Sequence, residues 1–411
     1  MTDAASFLRA LFERAVAVAD PMRALAPRLP PRPGSGRVLV VGAGKASARM
    51  AEAVEAEWGP CEGLVITRYG HARPCRGVEI AQAAHPVPDA AGMAATERML
   101  QRLDALGPED FALALISGGA SALLCAPAEG VSLADMQAVN AALLASGAPI
   151  GQMNVVRKHL SRVKGGQLAA AAHPAALHAL LISDVPGDRP GEIGSGPTVG
   201  EPTRTADAAA ILRRWGIDPP ASVARALARG SGVVPPGDPR LSRAVTEVFA
   251  APAHSLAAAA DLAEAEGCDV ELLGDALEGE AREVAAAQAA TALARRAGRA
   301  RPLVLLSGGE LTVTRRGDGV GGPNAEFALA LALALEGAPG IHAIACDTDG
   351  VDGAAEVAGA LVRPDTLRRA AACGCDARAA LEGNDAHGFF GRIGDQVVTG
   401  PTLTNVNDFR A

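Results

Sequence analysis

Aromatic residues are scarce in this chain. Phe, Trp and Tyr together make up 3% of its 411 residues, and the formal net charge is −8. A protein that stacks single-stranded nucleic acid uses aromatic rings as platforms, and nucleic-acid affinity comes largely from positive charge placed against phosphates. Both deficits argue against a nucleic-acid partner and favour an enzyme that acts on a small molecule.

Cysteines in a metal-binding or disulfide pattern are also missing. The seven cysteines are odd in number, scattered, and include no paired C-x-x-C motif, which predicts reduced thiols in a reducing compartment. The chain starts with an amphipathic pattern that contains Asp3, Arg9 and Glu13 instead of a leader peptide. No apolar run reaches the ~20 residues of a membrane span. We therefore expect a cytoplasmic protein with no membrane partner.

What the chain does have is a repeated junction, in which a short apolar run enters a Gly, Ser or Asp turn. Such runs are typical of strands buried on both faces, as in parallel sheets covered by helices. Ligands bind beyond the carboxyl ends of these strands, and the turns offer donors, carboxylates and one lysine, which suits a phosphorylated ligand with a metal ion. The five junctions are Val38–Lys45, Leu113–Gly119, Leu180–Asp188, Leu303–Glu310 and Ala343–Gly350.

The length and the alternation of strand and helix patterns predict an α/β protein of two domains. The first is a Rossmann-like doubly wound parallel sheet, and the second is a smaller α/β domain with a mixed sheet. A Pro- and Gly-rich stretch beginning at Val233 marks the boundary. We assign residues 1–235 to the first domain and residues 236–397 to the second, which restarts with a strand at Val245–Ala250.

The first turn contains Gly42, Gly44 and Lys45. It matches neither a Walker A loop nor a complete dinucleotide fingerprint, because Leu39 and Ser47 stand where each motif requires glycine. A Gly turn at a helix N-terminus beside a lysine predicts a phosphate cradle. The alternative is a turn whose glycines only permit close packing.

Two further turns combine glycines with hydroxyl groups and are predicted to hold nucleotide phosphates. Glycine lets a ligand approach the backbone, and hydroxyls donate to anionic oxygens. A purely structural turn remains the alternative for the first of them. The candidate residues are Ser117, Gly118, Gly119 and Ser121 in one turn, and Gly194, Ser195, Gly196 and Thr198 in the other.

Carboxylates follow two of the predicted strands: Asp184 and Asp188 after one, and Asp347 and Asp349 after another. Carboxylate oxygens suit Mg²⁺, so we predict these four as metal ligands. Asp184 is also the candidate to accept a proton. Solvated loop acids and helix caps are the alternatives.

The densest basic cluster begins at Arg157 and ends at Lys164. On a continuous helix Arg157, Ser161 and Lys164 would share one face. That face could bind a substrate carboxylate or phosphate, although charged helix faces are usually just solvated.

Several motifs together resemble the class II glycerate 2-kinases. They are Val40–Ala46, Leu115–Leu123, Asn154–Ser161, Leu181–Asp188, Ser195–Thr198 and Thr399–Asp408. The resemblance implies transfer of the ATP γ-phosphoryl group to the 2-hydroxyl of D-glycerate, giving 2-phosphoglycerate. It also implies a site in a cleft between an N-terminal kinase domain and a C-terminal domain with a MOFRL module, and a last segment, about residues 398–411, that returns to the first domain.

The resemblance also implies roles for individual residues. Lys45, Arg157 and Asp184 become catalytic candidates. Asn324 and Glu326 become nucleotide contacts. Substrate contacts are expected from Lys45, Arg157, Lys164, Asn405 and Asn407.

The sequence departs from the commonest family pattern in two places. Pro323 and Ala325 stand where many relatives have Arg and Gln, and Leu403 stands where glycine is frequent.

Two other functions stay open at this point. Some relatives are called hydroxypyruvate reductases, a reading that predicts NAD(P)H at Gly42–Ser47 with Arg68 near a 2′-phosphate. A non-catalytic nucleotide sensor is the third reading. The sequence leaves a homo-oligomer open.

Overall fold

The computed structural model describes residues 3–411, which form two compact units. The N-terminal unit consists of Ala24–Ser183 and Asp188–Phe249. The C-terminal unit consists of residues 3–23, the short segment Asp184–Gly187, and Ala250–Ala411. Each unit contains a six-stranded sheet, which confirms the predicted combination of two α/β domains.

The sheet of the N-terminal unit has the strand order β3-β2-β1-β4-β5-β6. The pairs β1–β2, β1–β4, β2–β3 and β4–β5 are parallel. Leu39–Ala43 of β1 are all buried, as expected of an uncharged strand covered on both faces. The strands are β1 (Val38–Ala43), β2 (Glu62–Arg68), β3 (Val78–Ala83), β4 (Phe111–Ile116), β5 (Ala176–Ile182) and β6 (Ala244–Ala250).

The strand order reverses between β1 and β4, and this switch point places several predicted turns at one edge. Ala43 of β1 is in register with Ile116 of β4, and Ile116 is in register with Leu181 of β5. The residues that follow these strands, among them Gly44, Ser117 and Ser183, therefore leave the sheet at its carboxyl edge.

The sheet of the C-terminal unit is mixed, with the order β11-β10-β9-β12-β8-β7. Only the β7–β8 pair is parallel among the pairings described for residues 3–411, and the other pairs are antiparallel. The strands are β7 (Asp269–Glu280), β8 (Leu303–Thr312), β9 (Ala343–Asp347), β10 (Gly359–Val362), β11 (Gln396–Val397) and β12 (Asp408–Arg410).

Helices connect the strands in both units. In chain order they are α1 (Ala4–Ala19), α2 (Pro21–Ala24), α3 (Ser47–Trp58), α4 (Ala90–Asp104), α5 (Ala120–Leu123), α6 (Leu133–Ser146), α7 (Ile150–His159), α8 (Gln167–Ala172), α9 (Thr205–Arg214), α10 (Ala221–Arg229), α11 (Pro252–Ala265), α12 (Ala281–Arg296), α13 (Pro323–Leu335), α14 (Thr366–Ala372), α15 (Ala377–Glu382) and α16 (Ala386–Ile393). Short 3₁₀ turns include Ile193–Ser195. None of the helices within residues 3–411 is long and apolar enough to cross a membrane.

The compact units differ from the predicted domain boundaries of 1–235 and 236–397. β6, which we expected to open the second domain, lies beside β5 in the first sheet. The segment 398–411, expected to join the first domain, contributes β12 to the second sheet, where it pairs with β8 and β9. Strand pairing between residues far apart in sequence decides both placements, and local composition does not report it.

α1 also belongs to the C-terminal unit. Its buried Leu8, Leu11 and Phe12 pack in one apolar cluster with residues of α11 and β12, and the rings of Phe12 and Phe409 lie 5.9 Å apart. The amphipathic pattern predicted the helix but not its partner.

Candidate active site

The turn after β1 uses its backbone donors internally. The Lys45 N–H donates to Gly118 O at 2.8 Å, and the Ala46 N–H donates to Ser117 Oγ at 3.0 Å. The amides of Gly44 and Ser47 are also bonded, to Ile66 O and Gly44 O. The predicted cradle of backbone amides at Gly42–Ser47 is therefore wrong, and the Lys45 side chain remains the candidate anion contact of this turn.

Gly42 and Gly44 allow β1 and β4 to approach each other. A Cβ on Gly42 would lie 2.3 Å from Leu115 O, and one on Gly44 would lie 2.1 Å from Ser117 Oγ. Gly44 also has a φ of 140°, which favours glycine. Close packing, the alternative reading of this turn, accounts for both glycines.

The turn after β4 offers the donors that the first turn lacks. Within the described residues the N–H groups of Gly118 and Gly119 donate to no acceptor. A Cβ on Gly119 would lie 3.3 Å from Lys45 Cγ and 3.1 Å from the ring of His85. Two amides and the Lys45 side chain thus meet at the switch point, an arrangement that suits an anion. The sequence did not single out His85, because a lone histidine after an edge strand carries no pattern.

Ser121 and Ser195 bring the second glycine turn to the same place. Their hydroxyl oxygens are 2.8 Å apart. Ser195 is fully buried and has a φ of 62°, between Gly194 at 59° and Gly196 at 61°. A non-glycine residue in this region costs about 1–3 kcal/mol and is commonest where function requires it.

Thr198, the fourth residue predicted in that turn, lies elsewhere. It is 2% exposed, and its Oγ1 accepts a hydrogen bond from Thr246 Oγ1 at 3.1 Å. This contact ties the turn to β6, which is a structural role.

Arg157 is a partly buried cation with uncharged partners. Its Nε donates to Asn140 Oδ1 and its Nη1 to Asn154 Oδ1, each at 3.3 Å. Burial lowers the pKa of the guanidinium. No carboxylate within residues 3–411 pairs with it, so most of its five N–H donors and all of its charge remain for an anion.

Arg157, Ser161 and Lys164 do not share a helix face, because α7 ends at His159. Lys164 lies in the turn before α8, is 5% exposed, and donates through Nζ to Leu124 O. Burial lowers its pKa to about 8. This contact supports the segment after α5 and does not favour the predicted role as a substrate ligand.

In the C-terminal unit, two predicted substrate residues hold Asp184. Asn405 donates through Nδ2 to Asp184 Oδ2 at 3.3 Å, and Asn407 donates through Nδ2 to Asp184 O at 3.1 Å. Asn407 O also accepts from Thr348 Oγ1 at 2.6 Å. Asn407 has a φ of 69°. Asp184 and the Asp347–Asp349 turn are therefore linked through one strained asparagine.

The four predicted metal ligands do not form one cluster. Asp188 belongs to the N-terminal unit and the other three to the C-terminal unit. Among residues 3–411, no group of three or more His, Cys, Asp and Glu side chains could hold a metal ion. Asp188 Oδ1 is nevertheless buried without a hydrogen-bond partner, and its φ is 52°. An orphaned carboxylate oxygen fits a cation, and Mg²⁺ commonly takes only one or two carboxylates beside substrate phosphates and water.

Comparison with known proteins shows the family of the chain. Residues 7–228 match the family model called domain of unknown function DUF4147, and residues 303–408 match the MOFRL family. A D-glycerate 2-kinase of Thermotoga maritima is 38% identical over 97% of this chain and 95% of its own. A crystal structure of glycerate kinase from the same organism has a TM-score of 0.88 at 37% identity and covers 99% of this chain and 98% of that one. This chain belongs to the class II glycerate kinase family.

The family also includes proteins with another name. A protein of Agrobacterium vitis, provisionally named hydroxypyruvate reductase, is 54% identical over 98% of this chain and 93% of its own length.

The first departure from the commonest glycerate kinase pattern lies at the start of α13. Pro323 takes the first helical position, where a missing N–H costs nothing. Asp352 caps this helix by accepting from the amides of Asn324 at 2.9 Å and Ala325 at 2.8 Å.

Asn324 and Glu326, predicted to contact the nucleotide, make internal bonds. Asn324 Nδ2 donates to Asp408 Oδ1 at 2.7 Å. Glu326 is fully buried and accepts from Arg282 Nε at 2.7 Å and Asn384 Nδ2 at 2.8 Å. These contacts explain both residues as parts of the fold.

The second departure is Leu403, whose φ is 62°. Glycine adopts this conformation without the steric cost that a Cβ brings. The backbone therefore explains why glycine is frequent at this position in the glycerate kinase family.

Proposed function

We propose that the chain is an ATP-dependent glycerate 2-kinase, which transfers the γ-phosphoryl group to the 2-hydroxyl of D-glycerate. The observation that carries the proposal is Arg157, a partly buried cation that is held by asparagines and has no counter-ion among residues 3–411. Family membership supplies the substrate class. Phosphoryl transfer asks the protein mainly for positioning and for positive charge around the moving group.

In this proposal Lys45 and the amides of Gly118 and Gly119 bind phosphate oxygens of the nucleotide. Arg157 binds the glycerate carboxylate or a phosphate, with Ser121 and Ser195 beside it. The donors are held in place before the ligand arrives, which lowers the cost of reorganisation during the reaction.

Asp184 is the proposed acceptor of the 2-hydroxyl proton. It follows Ser183, the residue after β5, so chain connectivity alone brings it close to the carboxyl end of that strand. Asn405 and Asn407 hold the Asp184 side chain and backbone, so their effect on the reaction is one of positioning.

Asp188, whose Oδ1 is buried without a hydrogen-bond partner among residues 3–411, is the proposed protein ligand of Mg²⁺. The ion would supply positive charge to the phosphates. ATP as the donor and a cytoplasmic location are parts of the proposal as well. The location rests on the seven cysteines, all of which are free thiols.

Reduction of hydroxypyruvate is the second candidate function, favoured by the name of the relative from A. vitis. The turn at Gly42–Ser47 argues against it, because its amides are occupied within the protein and leave no donors for a dinucleotide pyrophosphate.

Two parallel assays on the pure protein separate the candidates. With D-glycerate, ATP and Mg²⁺ we expect ADP release and a 2-phosphorylated product, identified by ³¹P NMR. With hydroxypyruvate and NADH or NADPH we expect no loss of absorbance at 340 nm. The reverse pattern would show that the protein is a reductase and not a kinase. Inactivity in both assays would rule out both candidate functions.

A further inference from the structure

A row of polar side chains connects Arg157 to the 193–195 turn through Asn154. Asn154 is 4% exposed and has Arg157 and Ser195 on its oxygen and Glu192 on its nitrogen. Glu192 has no role in the function proposed above, and Asn154 enters it only as one of the two asparagines that hold Arg157.

The charges of its neighbours determine which way the Asn154 amide faces. Glu192 Oε2 accepts from Asn154 Nδ2 at 2.8 Å, and a carboxylate can only accept. Arg157 Nη1 donates to Asn154 Oδ1 at 3.3 Å, and a guanidinium can only donate. A flipped amide would place Asn154 Oδ1 against the Glu192 carboxylate and Asn154 Nδ2 against the Arg157 guanidinium. Both contacts are repulsive, so the amide has one favourable orientation.

Lys158 places a positive charge near Glu192, although its short contact is to Glu201. Its Nζ lies 4.0 Å from Glu192 Oε1 and 2.5 Å from Glu201 Oε2, and the side chain is 3% exposed. Glu192 therefore keeps one oxygen towards a buried cation and the other towards Asn154.

The amide orientation also sets the direction of the two hydroxyls. Ser195 Oγ donates to Asn154 Oδ1 at 3.5 Å. Its own lone pairs then accept from Ser121, whose Oγ is 2.8 Å away. Ser121 thus presents acceptor lone pairs to its surroundings, while Arg157 presents donors.

We propose that Glu192, acting through Asn154, is a positioning residue that keeps a neutral oxygen against Arg157 and so preserves the charge of Arg157 for an anionic substrate. The polar partners described for the Glu192 side chain within residues 3–411 are Asn154 and Lys158, and they do not include Arg157 or the two serines. The identity of the anion rests on the proposed kinase function. The hydrogen bonds among Glu192, Asn154 and Arg157 do not depend on that function.

The test uses isosteric variants of the full chain. Asn154→Asp places a carboxylate against both Glu192 and Arg157. We expect the KM for D-glycerate or for MgATP to rise ~10-fold or more, with a smaller change in kcat, because a built-in anion competes for the charge. We also expect a lower Tm, since two carboxylates then face each other.

The exchange variant Asn154→Asp with Glu192→Gln separates positioning from folding. The glutamine amide can donate to the introduced carboxylate, so the hydrogen bond returns with its direction reversed and the Tm recovers. The carboxylate still faces Arg157, so the KM stays ~10-fold above wild type. If the pair serves only the fold, the KM recovers together with the Tm, and the proposal is overturned.

Glu247→Gln is the matched control, because it removes a carboxylate of the same unit from a half-exposed pair with Arg28 at 3.3 Å. Its KM and Tm should match wild type. A control that raises the KM as much as the exchange variant would overturn the assignment.

Calorimetric titration with tripolyphosphate and with D-glycerate distinguishes failure of this inference from failure of the kinase function. If wild type lacks kinase activity but binds either anion, the exchange variant should still bind that anion ~10-fold more weakly. Equal affinity, or a wild type that binds neither anion, contradicts the positioning role.

Discussion

Arg157 in the N-terminal unit is partly buried and Arg410 in the C-terminal unit is fully buried, and their partners differ in charge. Arg410 is 1% exposed, donates to Asp408 Oδ2 at 2.9 Å and to Gly308 O at 2.7 Å, and lies over the ring of Phe327. Within the described part of the chain, residues 3–411, the hydrogen-bond partners of the Arg157 side chain are two asparagine oxygens. Burial lowers the pKa of both guanidiniums, and only for Arg410 does a neighbouring carboxylate oppose that effect.

The difference shows how one chain uses the same side chain for two purposes. A buried cation with its own counter-ion stabilises or orders the fold, whereas one without a counter-ion costs folding energy and keeps its charge for a ligand. Removal of Arg410 should therefore lower the stability of the fold. Removal of Lys45 or Arg157 should instead lower turnover or anion affinity.

Arg410→Met should have the largest effect on stability. It leaves the Asp408 carboxylate buried without its cation, a change that costs about 3–5 kcal/mol of the free energy of unfolding, measured by urea denaturation.

The loss should depend on pH. Burial raises the pKa of Asp408, so the folded state binds the proton more tightly than the unfolded chain does. In the variant the stability then falls as pH rises through the raised pKa, and the deficit is smaller at pH 5 than at pH 8. The double variant with Asp408→Asn should recover most of the loss. A pH-independent deficit would show that Asp408 does not cause it.

Lys45→Ala tests a cation that is proposed to bind a ligand and not to stabilise the fold. We expect turnover to fall at least ~10²-fold, the effect of removing one preorganised electrostatic group, while the Tm stays close to wild type. Steady-state kinetics and thermal melting measure both. Near-normal turnover would remove Lys45 from the mechanism.

Lys164 is an intermediate case, a buried cation that can release its proton. Its pKa of about 8 lies below the ordinary 10.5 because of burial, so the unfolded chain binds more protons between these values. Wild-type stability should therefore gain about 2 kcal/mol relative to Lys164→Met between pH 8 and pH 10. A difference between the two proteins that is constant over this range would show that Lys164 is not desolvated as described.

Leu403→Gly should have the smallest effect. Relief of about 1–2 kcal/mol of left-handed strain is partly offset by the greater freedom of glycine in the unfolded chain, leaving a gain of about 0.5 kcal/mol. Asn407→Gly is the matched comparison, because its φ is similarly positive. It should lower turnover, since it removes the bond to Asp184. If both variants keep wild-type turnover, Asn407 has no role in the active site.

The sequence predicted the buried strands well, since uncharged runs such as Val38–Ala43 leave few alternatives. It could not place β6 and β12, because both depend on pairing with distant strands. It also treated Arg157 and Lys164 as one helix face, although the chain breaks between them at Leu160–Gly166.

The sequence predicted many residues of the candidate site but few of the contacts that they make. Sequence identified Lys45, Ser195 and Asp184 and predicted phosphate contacts from the turns after both β1 and β4. In the structure the amides of Gly44–Ser47 are bonded internally, whereas within residues 3–411 those of Gly118 and Gly119 donate to no acceptor. Asn154 and Glu192 were not predicted as site residues, because an amide facing a carboxylate has no sequence signature. The partner that each side chain finds across the fold decides its role.

Arg157→Gln, examined for anion affinity and for stability together, is the most direct test of this account. Glutamine can keep the bond to one asparagine but has no charge. We predict that the affinity for D-glycerate or for MgATP, measured by calorimetry, falls at least ~10-fold. The Tm should equal or exceed that of wild type, because a partly buried charge without a counter-ion is gone. Unchanged affinity with a lower Tm would contradict it and would make Arg157 a structural residue like Arg410.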